Sequence, residues 1–215
     1  MSVALAAWAA GGALAATLAS PIGDASQPPA PWRVVGLPQQ ARPLTQFPVV
    51  ALDGRQVLRV EADRAYGNLV HPLQDTRAGT LAWRWRVDQP VRGADLRRKS
   101  GDDAALKVCA FFNLPMSQVP FVERQLLRIA SSRAGEKLPT ATLCYVWDAQ
   151  LPPGTLLHNA YTHRVRYIVG GGTPGRWSDE QHDLAADFLR AFGDDTQDVP
   201  PLAAIMAWPI LDEVM

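Results

Sequence analysis

The chain has 215 residues, 47% hydrophobic and 20% charged, the balance of one globular domain with a full core, which excludes a disordered chain. Its 21 Lys and Arg offset 21 Asp and Glu. No global field therefore draws it to nucleic acid or an acidic membrane, and any electrostatic binding must come from a local patch.

Ser2–Ala19 is Ala-rich, carries no charge and is about as long as a minimal membrane span. It reads first as the apolar region of a secretory signal, with small residues following near Ala19 and Ala25, although no Lys or Arg precedes it. An uncleaved anchor is the second reading and a buried helix the third. Residues 1–26 are accordingly expected to be a signal peptide or anchor, 27–31 a linker, and 32–215 the domain.

Trp32–Pro48 is Pro-rich, and Val34-Val35 predicts an edge strand or strap. Asp53-Gly54 predicts a hairpin turn joining Phe47–Leu52 to Gln56–Ala62, with Leu58 and Val60 inward and Arg59 and Glu61 outward. Tyr66–Leu73 predicts a short strand broken by Pro72. Leu81–Val87 alternates strictly, with Leu81, Trp83, Trp85 and Val87 on one side and Ala82, Arg84 and Arg86 on the other. Leu106–Phe112 alternates too, and the two predict a hairpin with a long solvated loop over Gln89–Ala105.

In Pro120–Ser132 the spacing of Phe121, Val122, Leu126, Ile129 and Ala130 predicts an amphipathic helix. Strands resume at Ala141–Trp147 and His163–Val169, and Gly170–Gly172 predicts a flexible turn. Ser178 and Gln181 form a capping-box signal for a last helix that carries Leu184, Phe188 and Phe192 inward and ends at Gly193. One more strand begins at Leu202. Six to eight short strands with two inserted helices predict a mainly β fold, an antiparallel β-sandwich. Cys109 and Cys144 fall in two of these strands, either as a disulfide or as two buried thiols.

DGRQVLRVEAD, YGNLVH, LAWRWRVD, GDDAALKV, ATLCYVWD, NAYTHRVRYIV and DLAADFLRAFGDD together resemble the uncharacterised bacterial family named domain of unknown function 3047, from Trp32 to about Ile205. The resemblance implies a secreted protein with a jelly-roll, galactose-binding-like β-sandwich, and it implies no activity. The ending MAWPILDEVM departs from the family's Asp/Asn-rich turn and final strand, so the closing strand is expected to be missing or altered after 205.

No GxSxG, HExxH or Walker loop is present, and the glycines at Gly170–Gly172 follow a strand but lead into Thr-Pro-Gly-Arg-Trp and not into a helix, which argues against a phosphate cradle. His158 and His163 fall on opposite faces of an extended segment, against joint metal ligation, and His182 is expected to face solvent from the first turn of the last helix. Asp102 and Asp103 read first as turn aspartates and second as ligands of a structural calcium ion, and no other cofactor is expected. Glu61, Asp88, Asp103, Glu123 and Asp148 are available for acid–base chemistry, without a legible pairing. If their strands lie in one sheet, Arg84, Arg86, Lys107, Arg164 and Arg166 form a basic surface able to grip carboxylates or sulfates. The alternative is a solvated face whose charges pair with Glu61 and Asp88.

The function expected first is an exported, non-catalytic binding module for a cell-envelope glycan or other anionic ligand, periplasmic or secreted. An enzyme acting on envelope polysaccharide and a structural subunit of an envelope complex are the alternatives. No nucleic acid partner is expected, and membrane contact is expected only through an uncleaved N-terminal segment.

Overall fold

The computed structural model describes residues 3–7, 18–23, 26–37, 39–101, 103–134 and 138–209. Twelve strands are assigned among them: β1 (Val3–Ala7), β2 (Arg33–Val35), β3 (Val49–Leu52), β4 (Arg55–Val60), β5 (Asn68–Thr76), β6 (Thr80–Val87), β7 (Leu106–Phe112), β8 (Ala141–Trp147), β9 (Leu156–His158), β10 (Val165–Gly170), β11 (Ser178–Asp183) and β12 (Leu202–Pro209). Two helices, α1 (Phe121–Ala134) and α2 (Leu184–Phe192), interrupt them.

The strands form a five-stranded sheet in the order β11-β6-β1-β4-β3 and a seven-stranded sheet in the order β2-β5-β12-β7-β8-β10-β9. The fold is mainly β, as expected, but the larger sheet is mixed, because β10 runs parallel to β8. Leu58, Val60, Trp83, Trp85 and Val87 from one sheet meet Leu106, Val108, Phe112, Leu143, Tyr145, Trp147 and Ile205 from the other in one buried core. The alternation of β6 is seen directly, since its burial switches at every residue from Leu81 to Val87.

Several local expectations change once the strands find partners. β6 and β7 are not a hairpin. They lie in different sheets, and the connection between them folds over the outer face of the larger sheet. There Leu96 and Ala104 join Cys109, Cys144, Val146, Tyr167 and Met206 in a second buried cluster. That cover explains why nearly every residue of β7 and all of β8 are buried on both faces. Cys109 stands opposite Cys144 in the β7–β8 ladder, and the two are joined by a disulfide.

Pro72 does not end its strand. It lies inside β5 opposite Ala204, where the β5–β12 ladder shifts register and where β2, which pairs only with Asn68–Val70, no longer needs an N–H. The Asp53-Gly54 hairpin is as predicted, with both residues at positive φ, 51° and 74°. Ser178 does not cap a helix, because Ser178–Asp183 is the edge strand that pairs with β6. The cap is Asp183, whose carboxylate accepts from the N–H groups of Ala185 and Ala186 at 2.9 and 3.1 Å. Gly193 does close α2, but in the right-handed conformation at φ −60°.

Val3–Ala7, inside the stretch read as a leader, pairs antiparallel with both β4 and β6 and so lies between them in the five-stranded sheet. Among the described residues no helix is long and apolar enough to cross a membrane. β12 fills the position between β5 and β7.

Candidate functional site

The five cations expected on one surface are split between the two sheets. Arg84 and Arg86 lie on β6, whereas Lys107 lies on β7, Arg166 on β10 and Arg164 just before it, in the facing sheet. Sheet membership is decided by long-range pairing, and even within the larger sheet Lys107 lies against Tyr167 of the second cluster whereas Arg166 lies against Phe192 of the main core. Lys107 is only 2% exposed. Its ammonium donates to Tyr167 Oη at 3.1 Å and lies over that ring, and Asn159 donates to the same oxygen at 2.6 Å.

Arg164 is buried and ties Glu123 of α1 to Asp195, the latter at 2.6 Å. Arg166 donates to the His163 carbonyl and stacks over Phe192. Burial, then the neighbouring Arg164, lowers its pKa. These three cations hold loops and helices onto the larger sheet.

Asp102 lies outside the described residues, and Asp103 is exposed. Among the described residues, no three His, Cys, Asp or Glu side chains are grouped to hold a metal ion. Asp148, considered for acid–base work, instead accepts from the N–H groups of Gln150 and Leu151 at 2.6 and 2.7 Å and so closes a turn.

Arg84 and Arg86 remain on the outer face of the smaller sheet, beside a cleft of about 170 Å³ lined by Leu52, Asp53, Arg55, Val57, Arg84 and Trp177. The positive-φ turn at Asp53-Gly54 places Asp53 and Arg55 at one end. Trp177 arrives from the loop after β10, which turns at Gly175 and is held by the Gly175 N–H bonding Val87 O at 2.9 Å.

Asp53 Oδ2 accepts from the Trp177 indole at 3.1 Å and from Arg86 at 3.0 Å. Arg86 also reaches Asp88 at 2.7 Å, and hydrogen bonding to these carboxylates, Asp88 foremost, raises its pKa. Arg84 is held by Asp179 at 2.7 Å, and its guanidinium lies 5.3 Å from the centre of the Trp177 ring. Arg55 is exposed and makes no ion pair among the described residues. The cleft thus offers an aromatic ring, one guanidinium without a carboxylate partner, a second stacked on the ring, and a fixed carboxylate. An aromatic face suits a sugar ring, and a guanidinium fork suits a carboxylate or sulfate.

Sequence reasoning missed Trp177 and Arg55. Their one signal is a Trp set among polar residues in TPGRWSDE and an Arg directly after a tight turn. The preceding glycines are more than a flexible turn. A Cβ on Gly172 would come within 1.9 Å of Trp147 Nε1, and one on Gly170 within 2.4 Å of Trp85 Cζ2, so the backbone leading to Trp177 presses directly on the core indoles.

A second polar cluster lies at the edge of the core. His182, expected in solvent on a helix, sits on β11 with its ring 4.0 Å from Tyr145 and stacked on Trp83 at 5.3 Å. Its two nitrogens face Glu180 Oε2 at 3.1 Å and Asp187 Oδ2 at 3.2 Å. The Tyr145 hydroxyl donates to Asp187 at 2.8 Å, and the Gly171 N–H donates to Glu180 Oε1 at 3.1 Å. Burial, and then the Asp187 charge, pushes the Tyr145 phenol far above its ordinary pKa. With its ring nitrogens, phenol and carboxylates mutually engaged, the cluster joins β11 to α2 and β8.

No curated protein and no solved structure matches the chain. One family model does, over residues 30–208, and its description is Protein of unknown function (DUF3047). The match spans most of the 215 residues, and the chain belongs to that family.

Proposed function

We propose that this protein is an exported, non-catalytic binding module for an acidic cell-envelope glycan, and that it binds a uronate-type sugar in the cleft between Arg55 and Trp177. The carrying observation is the pairing of Trp177 with Arg84 at 5.3 Å beside Arg55, which has no ion pair among the described residues, around a space of about 170 Å³. A pyranose ring stacks on the indole, its carboxylate takes Arg55, and Asp53 accepts from ring hydroxyls. Arg84 and Arg86 contribute from the cleft wall. Lys107, Arg164 and Arg166 have no part in it, because they are buried in the other sheet.

A jelly-roll, galactose-binding-like ancestry agrees with two facing, largely antiparallel sheets, the parallel β8–β10 pair being a local departure. Export to an oxidising compartment is supported by the Cys109–Cys144 disulfide.

Calorimetric titration of the full chain with an oligogalacturonate and with the matching neutral galactose oligomer tests this reading. The acidic oligomer is expected to bind more tightly. Trp177→Ala and Arg55→Ala are each expected to weaken it about tenfold, the size of one lost stacking or charge-assisted contact, with no dependence on calcium. Equal affinity for the two oligomers, or an unchanged affinity in Trp177→Ala, would falsify it.

A further inference from the structure

Helix α1 forms where its periodicity predicted, but its apolar side faces solvent. Phe121 and Val122 are each 69% exposed, Leu126 60% and Ile129 52%. Val122, Leu126 and Ile129 follow one another at four- and three-residue steps, so they form one stripe, with Phe121 beside it. The inward side is the polar one. Glu123 turns down to pair with the buried Arg164, and Leu127 alone among the large apolar residues of the helix reaches the core.

An exposed stripe of four large apolar side chains is unusual on a folded surface and marks something that covers it. The charge on this helix identifies the cover. The one acidic residue of α1, Glu123, is taken by Arg164, so the exposed side carries no carboxylate. Arg128 is exposed and makes no ion pair among the described residues, and Arg124 donates only to the carbonyls of Ser117 and Val119 at 3.2 and 3.0 Å. Arg124 is thus turned into the protein, and the apolar side chains are bordered by the exposed Arg128, an arrangement that fits the boundary between acyl chains and anionic headgroups. The apolar residues enter the boundary and the Arg128 guanidinium reaches back to phosphate.

We propose that α1 is a membrane-surface helix, which docks the domain flat on a bilayer containing anionic phospholipid through Phe121, Val122, Leu126 and Ile129, with Arg128 on the headgroups. This contact is separate from the Trp177 cleft and from any contact made by the N-terminal stretch. It gives a net-neutral protein the local patch that binding to an acidic surface requires.

Cosedimentation of the full chain with vesicles of equal parts phosphatidylglycerol and phosphatidylcholine tests the proposal, with phosphatidylcholine vesicles as the reference. Binding is expected on the mixed vesicles and to be lost in high salt. The double variant Leu126→Ser/Ile129→Ser and the single variant Arg128→Glu are each expected to weaken it about tenfold, with the melting temperature unchanged because all three positions are exposed. A Phe121→Cys chain carrying an environment-sensitive dye gives a readout that does not rely on those variants. Its thiol is the single free one, because the other two cysteines are in the disulfide, and the dye is expected to shift to the blue on mixed vesicles only. Three results would each overturn the proposal. They are binding that persists in the double variant, a dye that does not respond, and a dimer in solution that the double variant dissociates, which would assign the stripe to contact between copies.

Discussion

Arg164 shows what a single buried charge does here. Its guanidinium is almost fully enclosed and spans from Glu123 on α1 to Asp195 after α2, so one side chain fixes both helices against the larger sheet. Removing one partner of a buried ion pair leaves the others desolvated without compensation. Arg164→Met is expected to lower stability by about 3 kcal/mol in urea denaturation. Adding Glu123→Leu is expected to recover part of that loss, which a purely steric role for Arg164 would not allow.

Asp95 works differently, at the surface of the loop that covers the second core. Hydrogen bonds from Arg97, first through its side chain and then its backbone N–H, and next from Arg98, hold its carboxyl down from 3.8 to about 2. A carboxyl whose pKa is depressed in the folded state stabilises that state above the unfolded pKa of ~4 and loses the contribution as pH falls toward 2. Asp95→Asn is therefore expected to melt below the native chain at pH 6, with the two curves converging as the pH approaches 2.

At the scale of elements, the Cys109–Cys144 bond ties two neighbouring central strands across a sequence separation of 35 residues. The entropy removed from the unfolded chain by a loop of this size corresponds to roughly 3–4 kcal/mol. Reduction, or the double variant Cys109→Ala/Cys144→Ala, is expected to shift the denaturation midpoint by that amount and to leave sugar binding in the folded protein unchanged, since the cleft is in the other sheet. Helix α1 makes the complementary point. A periodic apolar stripe specifies a helix, and it does so equally well whether the stripe is buried by the protein's own core or left for something outside it.

At the scale of the whole molecule, two sheets divide the labour. The central strands β7 and β8 of the larger are buried on both faces, and that sheet carries the disulfide together with the buried Lys107 and Arg166. The smaller keeps its outer face open, and the proposed ligand cleft is on that face. A chain without net charge is thereby compatible with the two local surfaces proposed above, the cleft at Trp177 and the exposed stripe of α1.

The sequence by itself determined which residues point together along each strand. The alternation of β6, the Asp53-Gly54 hairpin and the existence of α1 and α2 all follow from periodicity and turn chemistry that act within a few residues. The mainly β class was legible for the same reason, whereas the family was legible from the resemblance carried by motifs such as LAWRWRVD and ATLCYVWD. Only the tertiary structure decided which strands share a sheet. It sent Arg84 and Arg86 to one sheet and Lys107 and Arg166 to the other, and it turned Ser178–Asp183 from a helix start into an edge strand by giving it β6 to pair with. It also brought Trp177 to Asp53, 124 residues away in the chain. Ladder partners and loop returns of that length are set by the summed burial of two facing sheets, a quantity that no local window of sequence contains.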